Sequence, residues 1–155
     1  MSVKSFAAAL FMCAVSVSGI RAANVSFLVM ETGLPRESAT SQYSVMWENG
    51  LLEVFFESGH IVSNAPRMRL AGDVSREGFP PEAERDRQDA ANGGMDYFLI
   101  AIVDHPSHNV SLRLFGAASG EMIAQRTHAG SQAWNTREEH ESIRSAIRAM
   151  AAFLR

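Results

Sequence analysis

The heptapeptide Tyr97-Phe-Leu-Ile-Ala-Ile-Val103, inside the stretch GGMDYFLIAIVDHPSHNVSLRLFGAASGEMIAQRT from Gly93 to Thr127, decides the fold. It is apolar on both alternating faces, the pattern of a strand covered by helices on each side rather than one half-exposed to water. A sheet therefore has its centre here. Downstream, Val110-Ser-Leu-Arg-Leu-Phe alternates apolar with polar, and Ala118-Ser-Gly120 supplies a turn before Glu121 to Thr127. That order predicts an antiparallel meander following the central strand.

Upstream, Val25-Ser-Phe-Leu-Val-Met30 is short and rich in β-formers, a first strand that Thr32-Gly-Leu-Pro-Arg ends. From about Ser38 to Ser58, Tyr43, Met46, Trp47, Leu51, Val54 and Phe55 recur at three- and four-residue steps, an amphipathic helix with Gly59 as its stop. Gly50 interrupts it, either for a close strand approach or for a kink. His60 to Ser63 reads as a brief strand that completes a βαβ unit with parallel pairing. Asn64 to Pro81 has no sustained period and holds Pro66, Gly72, Gly78, Pro80 and Pro81, a long loop. A second helix over Glu82 to Ala91 has only alanines to bury and should be the least stable. The last helix opens on Thr136-Arg-Glu-Glu139, read as a capping box, and carries Ile143, Ala146, Ile147, Met150 and Leu154 as one apolar stripe. The fold class expected is α/β, a mixed sheet of about five strands with helices on its faces.

The amino terminus reads as a secretory signal peptide over residues 1–22: a cation at Lys4, an apolar stretch from Phe6, and small residues at Ala22 and Ala23. Cleavage after Ala22 leaves residues 23–155 as a single α/β domain and predicts a periplasmic protein. The formal charge of the whole chain is −3, and the segment removed carries Lys4 and Arg21 and no acid. The exported part is thus more acidic still, which argues against nucleic acid as a partner. The only cysteine, Cys13, follows Phe11 and Met12 rather than the small residues a lipidation site wants. A membrane association is expected only if Cys13 were lipidated.

Chemistry-bearing residues are few. Asp104-His105-Pro-Ser-His108 is the one cluster of potential ligands, and two histidines three apart could share a metal on a helix. Pro106 and the position between two strands favour ordinary turn chemistry instead. There is no Gly-x-Ser-x-Gly, HExxH or phosphate-binding glycine loop, so neither catalysis nor a cofactor is expected. Met68, Leu70 and Phe79 stand out in the long loop, either as a satellite cluster tucked beneath it or as partner-binding anchors. The partner reading makes these three the candidate site for another protein. Two further readings stay open: a small metal-dependent or hydrolytic enzyme using Asp104, His105 and His108, and a small-molecule binder at the carboxyl ends of the parallel strands.

Gly94-Met-Asp-Tyr-Phe-Leu99 and Leu112-Arg-Leu-Phe115 followed by Ser119-Gly-Glu121 resemble the central-strand entry and the hairpin of a family of bacterial envelope domains with an anticodon-binding-like fold. Its members include outer-membrane lipoprotein activators of penicillin-binding proteins, the periplasmic part of the curli secretion channel, and the amino-terminal domain of the Tol-system propeller protein. The resemblance implies a mixed five-stranded sheet and a role in docking an envelope protein partner without catalysis.

Overall fold

The computed structural model describes residues 22–35, 37–72, 74, 78–131 and 135–154. Of the residues read as a signal peptide, only Ala22 is among them, and Cys13 lies outside. Strand β1 (Asn24–Thr32) is followed by helix α1 (Gln42–Glu57), strands β2 (Ile61–Asn64) and β3 (Met68–Arg69), a 3-10 turn (Pro81–Ala83) and helix α2 (Glu84–Asn92). Strands β4 (Tyr97–Asp104), β5 (Asn109–Gly116) and β6 (Met122–Ala129) and helix α3 (Thr136–Ala151) complete the order.

The sheet runs β2-β1-β4-β5-β6, with β3 also on β1. β4 pairs in parallel with β1 from Val25↔Tyr97 to Thr32↔Asp104, and antiparallel with β5 from Tyr97↔Gly116 to Asp104↔Asn109. Phe98 to Val103 are all buried, as two covered faces require. The strand β3 is absent from the sequence reading. Two residues cannot declare a period; their pairing with Met30 and Glu31 comes from β1, which runs on past Ala65-Pro66-Arg67.

Each face of the sheet has its own core. On one, Val25, Phe27 and Val29 of β1, Leu99, Ala101 and Val103 of β4, and Leu112 and Leu114 of β5 meet Trp47, Leu51 and Phe55 of α1 and Ile143, Ile147 and Met150 of α3. On the other, Leu28, Met30, Phe98, Ile100, Ile102 and Phe115 lie beneath Ala83, Ala90 and the long loop. Helix α2 has little to bury, and Arg87 compensates. Its guanidinium donates to the carbonyls of Ala117 and Ala118 on the β5–β6 turn, is held by Glu84, and stands over the Phe79 ring at 5.8 Å.

Local signals shifted slightly. The cap of α3 is Asn135, whose side chain accepts from the Arg137 and Glu138 amides at 3.0 Å while Glu138 accepts from the Asn135 amide at 3.1 Å. The box is therefore Asn135/Glu138, one residue ahead of the Thr136/Glu139 pair, because asparagine also caps well. Gly50 faces α3 rather than a strand. A Cβ placed there would stand 3.0 Å from both Ile143 Cγ2 and Ile147 Cδ1, so this glycine lets α3 cross close over α1. Gly50→Val should therefore overpack the helix–helix contact and lower stability by about 1–3 kcal/mol. Urea unfolding followed by circular dichroism measures it, and an unchanged midpoint would mean the helices do not meet there.

Candidate functional site

The parallel strands β1 and β4 deliver their carboxyl ends to one pole of the molecule, together with the amino termini of α1 and α3. Four candidate ligand residues converge there, and the geometry is that of a lock. Glu31, 3% exposed at the end of β1, accepts from Arg69 Nε at 3.1 Å and Nη2 at 2.9 Å. The same guanidinium donates to the carbonyls of Pro35 and Ser38 at 3.2 and 2.8 Å, which fastens the β1–α1 loop. Glu31 Oε1 faces His105 Nε2 at 3.8 Å, and that nitrogen lies 3.3 Å from the buried Ser44 Oγ.

A serine, a histidine and a carboxylate together invite comparison with a nucleophilic triad, and the connectivity answers it. A triad uses both ring nitrogens, one toward the hydroxyl and the other toward the acid. Here Ser44 and Glu31 both address Nε2 of His105, and Ser44 is 0% exposed with no face for a substrate. His108, at φ 59 in the turn, is spent elsewhere: its ring stacks on Tyr43 at 4.2 Å and its Nε2 is 3.3 Å from Glu139. Asp104 accepts from Ser107 Oγ inside the turn. The three residues suggested for metal or acid–base chemistry thus face three different neighbours. Among the described residues no group of three His, Cys, Asp or Glu side chains could hold a metal ion.

The crevice outside the carboxyl ends of parallel strands, where α/β sheets often bind ligands, is filled by the chain itself. A Cβ on Gly33 would lie 2.2 Å from Pro106 Cδ, and the His105 amide donates to the Thr32 carbonyl at 3.3 Å. A polar cleft of about 510 Å³ opens on the α2 face, lined by Thr32, Asp104, Ser111, Arg113, Gln125 and Thr127 among others. Arg113, 2% exposed, is already engaged, donating to the Gly78 carbonyl at 2.9 Å.

Met68, Leu70 and Phe79 are each partly buried against the second core. Phe79 meets Phe115 edge-on at 4.8 Å and Phe98 at 6.3 Å. Met68 lies in β3, opposite Met30. The sequence also left a sheet edge open as a surface where a partner could add a strand, without saying which strand would form it; the strand order makes that edge β6. β6 is eight residues long, ends the strand order, and has an exposed or half-exposed side chain at every position. The opposite edge is blunted: β2 has four residues and β3 two, with Pro66 between them. Short strands and proline are standard protection against edge pairing, and β6 has neither.

No family model matches the chain, and no curated protein matches it. Among solved structures it is similar to the PelC dodecamer from Paraburkholderia phytofirmans, at 14% identity and TM-score 0.46 over 85% of this chain and 86% of that one. It is similar to the LpoB C-terminal domain from Escherichia coli at 14% identity and TM-score 0.46, covering 76% of this chain and 90% of that one. Lipoprotein GNA1162 from Neisseria meningitidis is similar at 12% identity and TM-score 0.45, covering 84% and 99%. The likeness to bacterial envelope domains read from the Gly94 and Leu112 motifs is thus met again in solved structures.

The buried polar pole sets a pH dependence. Burial pushes the His105 imidazole down, more than the Glu31 charge raises it, and burial likewise lowers His128. Burial pushes Glu31 up, but Ser44, Arg69 and His105 outweigh it and leave the carboxyl below its ordinary value. A histidine with a lowered folded pKa gives stability that is complete above its unfolded value of 6.5 and is lost as pH falls below that. A carboxyl lowered by folding loses its contribution as pH falls below 4.5. Both act in one direction. The urea midpoint should fall between about pH 7.5 and about pH 5, and His105→Asn should flatten that slope; a midpoint independent of pH would contradict the assignment. For the loop, replacing Met68, Leu70 and Phe79 together by serine should lower stability by about 3 kcal/mol or more, since each loses apolar packing. A melting temperature like the parent's would show that their contacts carry no weight.

Proposed function

We propose that this protein is a non-catalytic domain of the bacterial cell envelope, exported by residues 1–22 and working in the periplasm by binding another envelope protein. The observation that carries the reading is the asymmetry of the sheet edges. One edge is short and interrupted by proline, whereas β6 is an eight-residue strand that pairs with β5 on one side and ends the strand order on the other. Such an edge suits β-addition, in which a partner's extended segment gains affinity from main-chain hydrogen bonds. The polar pole supports the same reading from the other side, because His105, His108 and Asp104 are committed to holding the fold and the switch-point crevice is filled.

The long loop from Asn64 to Pro81, with Met68, Leu70 and Phe79, is the competing surface. Their packing against Phe98 and Phe115 favours β6, because residues that hold a core are costly to withdraw for a partner.

The ladder says where to test it. Gly130 donates to the His108 carbonyl, so the hydrogen-bonded pairs of β5 and β6 alternate from there and include His128 and Arg126. Thr127 then turns its amide toward the open edge. Proline at such a position removes an outward donor and spares the ladder. Thr127→Pro should melt within a few degrees of the parent yet lose about tenfold or more in capture of the envelope partner by quantitative cross-linking in periplasmic extract. Unimpaired capture by a folded Thr127→Pro variant would rule out strand addition at β6.

A further inference from the structure

The large apolar residues that remain exposed among the described residues are Phe56 at 77%, Ile61 at 60%, Ile123 at 42%, Met122 at 40% and Phe153 at 39%. Scattered singly, such residues need no explanation. These are gathered at one pole. The parallel strands begin together there, with Ile61 opposite Asn24 and Tyr97 opposite Val25; Gly116 pairs with Tyr97, and Met122 with Phe115. Phe56 stands in the last turn of α1, five residues before Ile61, and Phe153 lies just past the end of α3, with Arg126 over its ring at 5.9 Å. The opposite pole, where Arg69, Glu31, His105 and His108 are packed, has none of these residues.

The chain outside the structure enters at the apolar pole. Ala22 and Ala23 precede β1 there, with the Ala23 amide donating to His60 Nδ1 at 3.2 Å, and the sequence before them includes the apolar stretch from Phe6. On the proposed reading of residues 1–22 as an export signal, the pole this segment enters is the part of the domain that faces the bilayer before cleavage.

We propose that this pole is a lipid-facing surface, on which Phe56, Ile61 and Phe153 with Met122 and Ile123 insert shallowly into the interfacial region of a bilayer. The proposal goes beyond protein binding at β6, and Phe56, Ile61 and Phe153, through which it is tested, lie outside that strand, so either can fail alone. The charges at this pole are compatible with it. Glu53 and Glu57 are each bridged to Arg144 at 2.6 Å, and Asp96 accepts from the Asn24 amide at 2.9 Å. Two large aromatics, flanked by Arg126 beside Phe153, are suited to the interface, where a ring and a cation are each accommodated. Binding of this kind scales with apolar area and is weak and reversible, in contrast to the hold of a spanning helix.

The test uses the protein as recovered from the envelope after export and vesicles of phosphatidylethanolamine with phosphatidylglycerol. The parent should sediment with the vesicles, and a variant carrying Phe56→Ser, Ile61→Ser and Phe153→Ser should partition about tenfold less while melting like the parent and still capturing its protein partner. Equal partition of parent and variant, or no partition of the parent, would overturn the proposal. So would a lipid-free dimer, seen by sedimentation equilibrium, that the same three changes dissolve, because the pole would then belong to a second copy of the chain.

Discussion

Everything in this molecule hangs on β4 being dry on both sides. Six consecutive buried residues, Phe98 to Val103, leave the backbone no water to bond, so its amides and carbonyls have to be met by β1 on one side and β5 on the other. The side chains impose a second demand. Leu99, Ala101 and Val103 require a layer on one face and Phe98, Ile100 and Ile102 a layer on the other. α1 and α3 meet the first with a full set of large apolar residues. The second is met more thinly, by α2, the 3-10 turn and the loop, which is why Met68, Leu70 and Phe79 are drawn inward and why Arg87 has to anchor a helix whose buried residues are alanines.

The same imbalance orders the two poles. Where the parallel strands end, the chain folds back over itself and closes the space with charges and rings: Glu31 under Arg69, Ser44 by His105, Tyr43 against His108. A buried ion pair adds little net stability in general, but removing one partner is expensive because the other charge is then stranded. Where the strands begin, the closure is apolar and incomplete. The polarity of the domain along its strands thus follows from chain direction, since loops that must turn over the carboxyl ends carry the polar residues.

The sequence showed the centre of the fold because its signals are periodic. Tyr97 to Val103, the α1 stripe and Ile143 to Met150 each repeat over enough residues to declare a period, and their pairing follows from connection lengths. β3 was illegible for the opposite reason, two residues placed by a neighbour's length. The polar pole was hidden because its partners are distant in the chain, with Glu31 38 residues from Arg69 and Ser44 61 from His105. Asp104, His105 and His108 could be picked out as chemistry-bearing, but which way each would turn depended on helices that reach them only after folding. The openness of β6 was equally beyond local reading. Whether a strand is an edge is a property of the strand order, and nothing within Met122 to Ala129 announces it.

The pairing of one blunted edge with one open edge has a consequence for stoichiometry. A sheet with two free borders can recruit a strand on each, and each recruit can recruit another, which is the growth law of a fibril. Here Pro66 and the brevity of β2 and β3 remove one border. A strand added at β6 would therefore be the one guest paired directly with this subunit's sheet, a valence set by backbone alone.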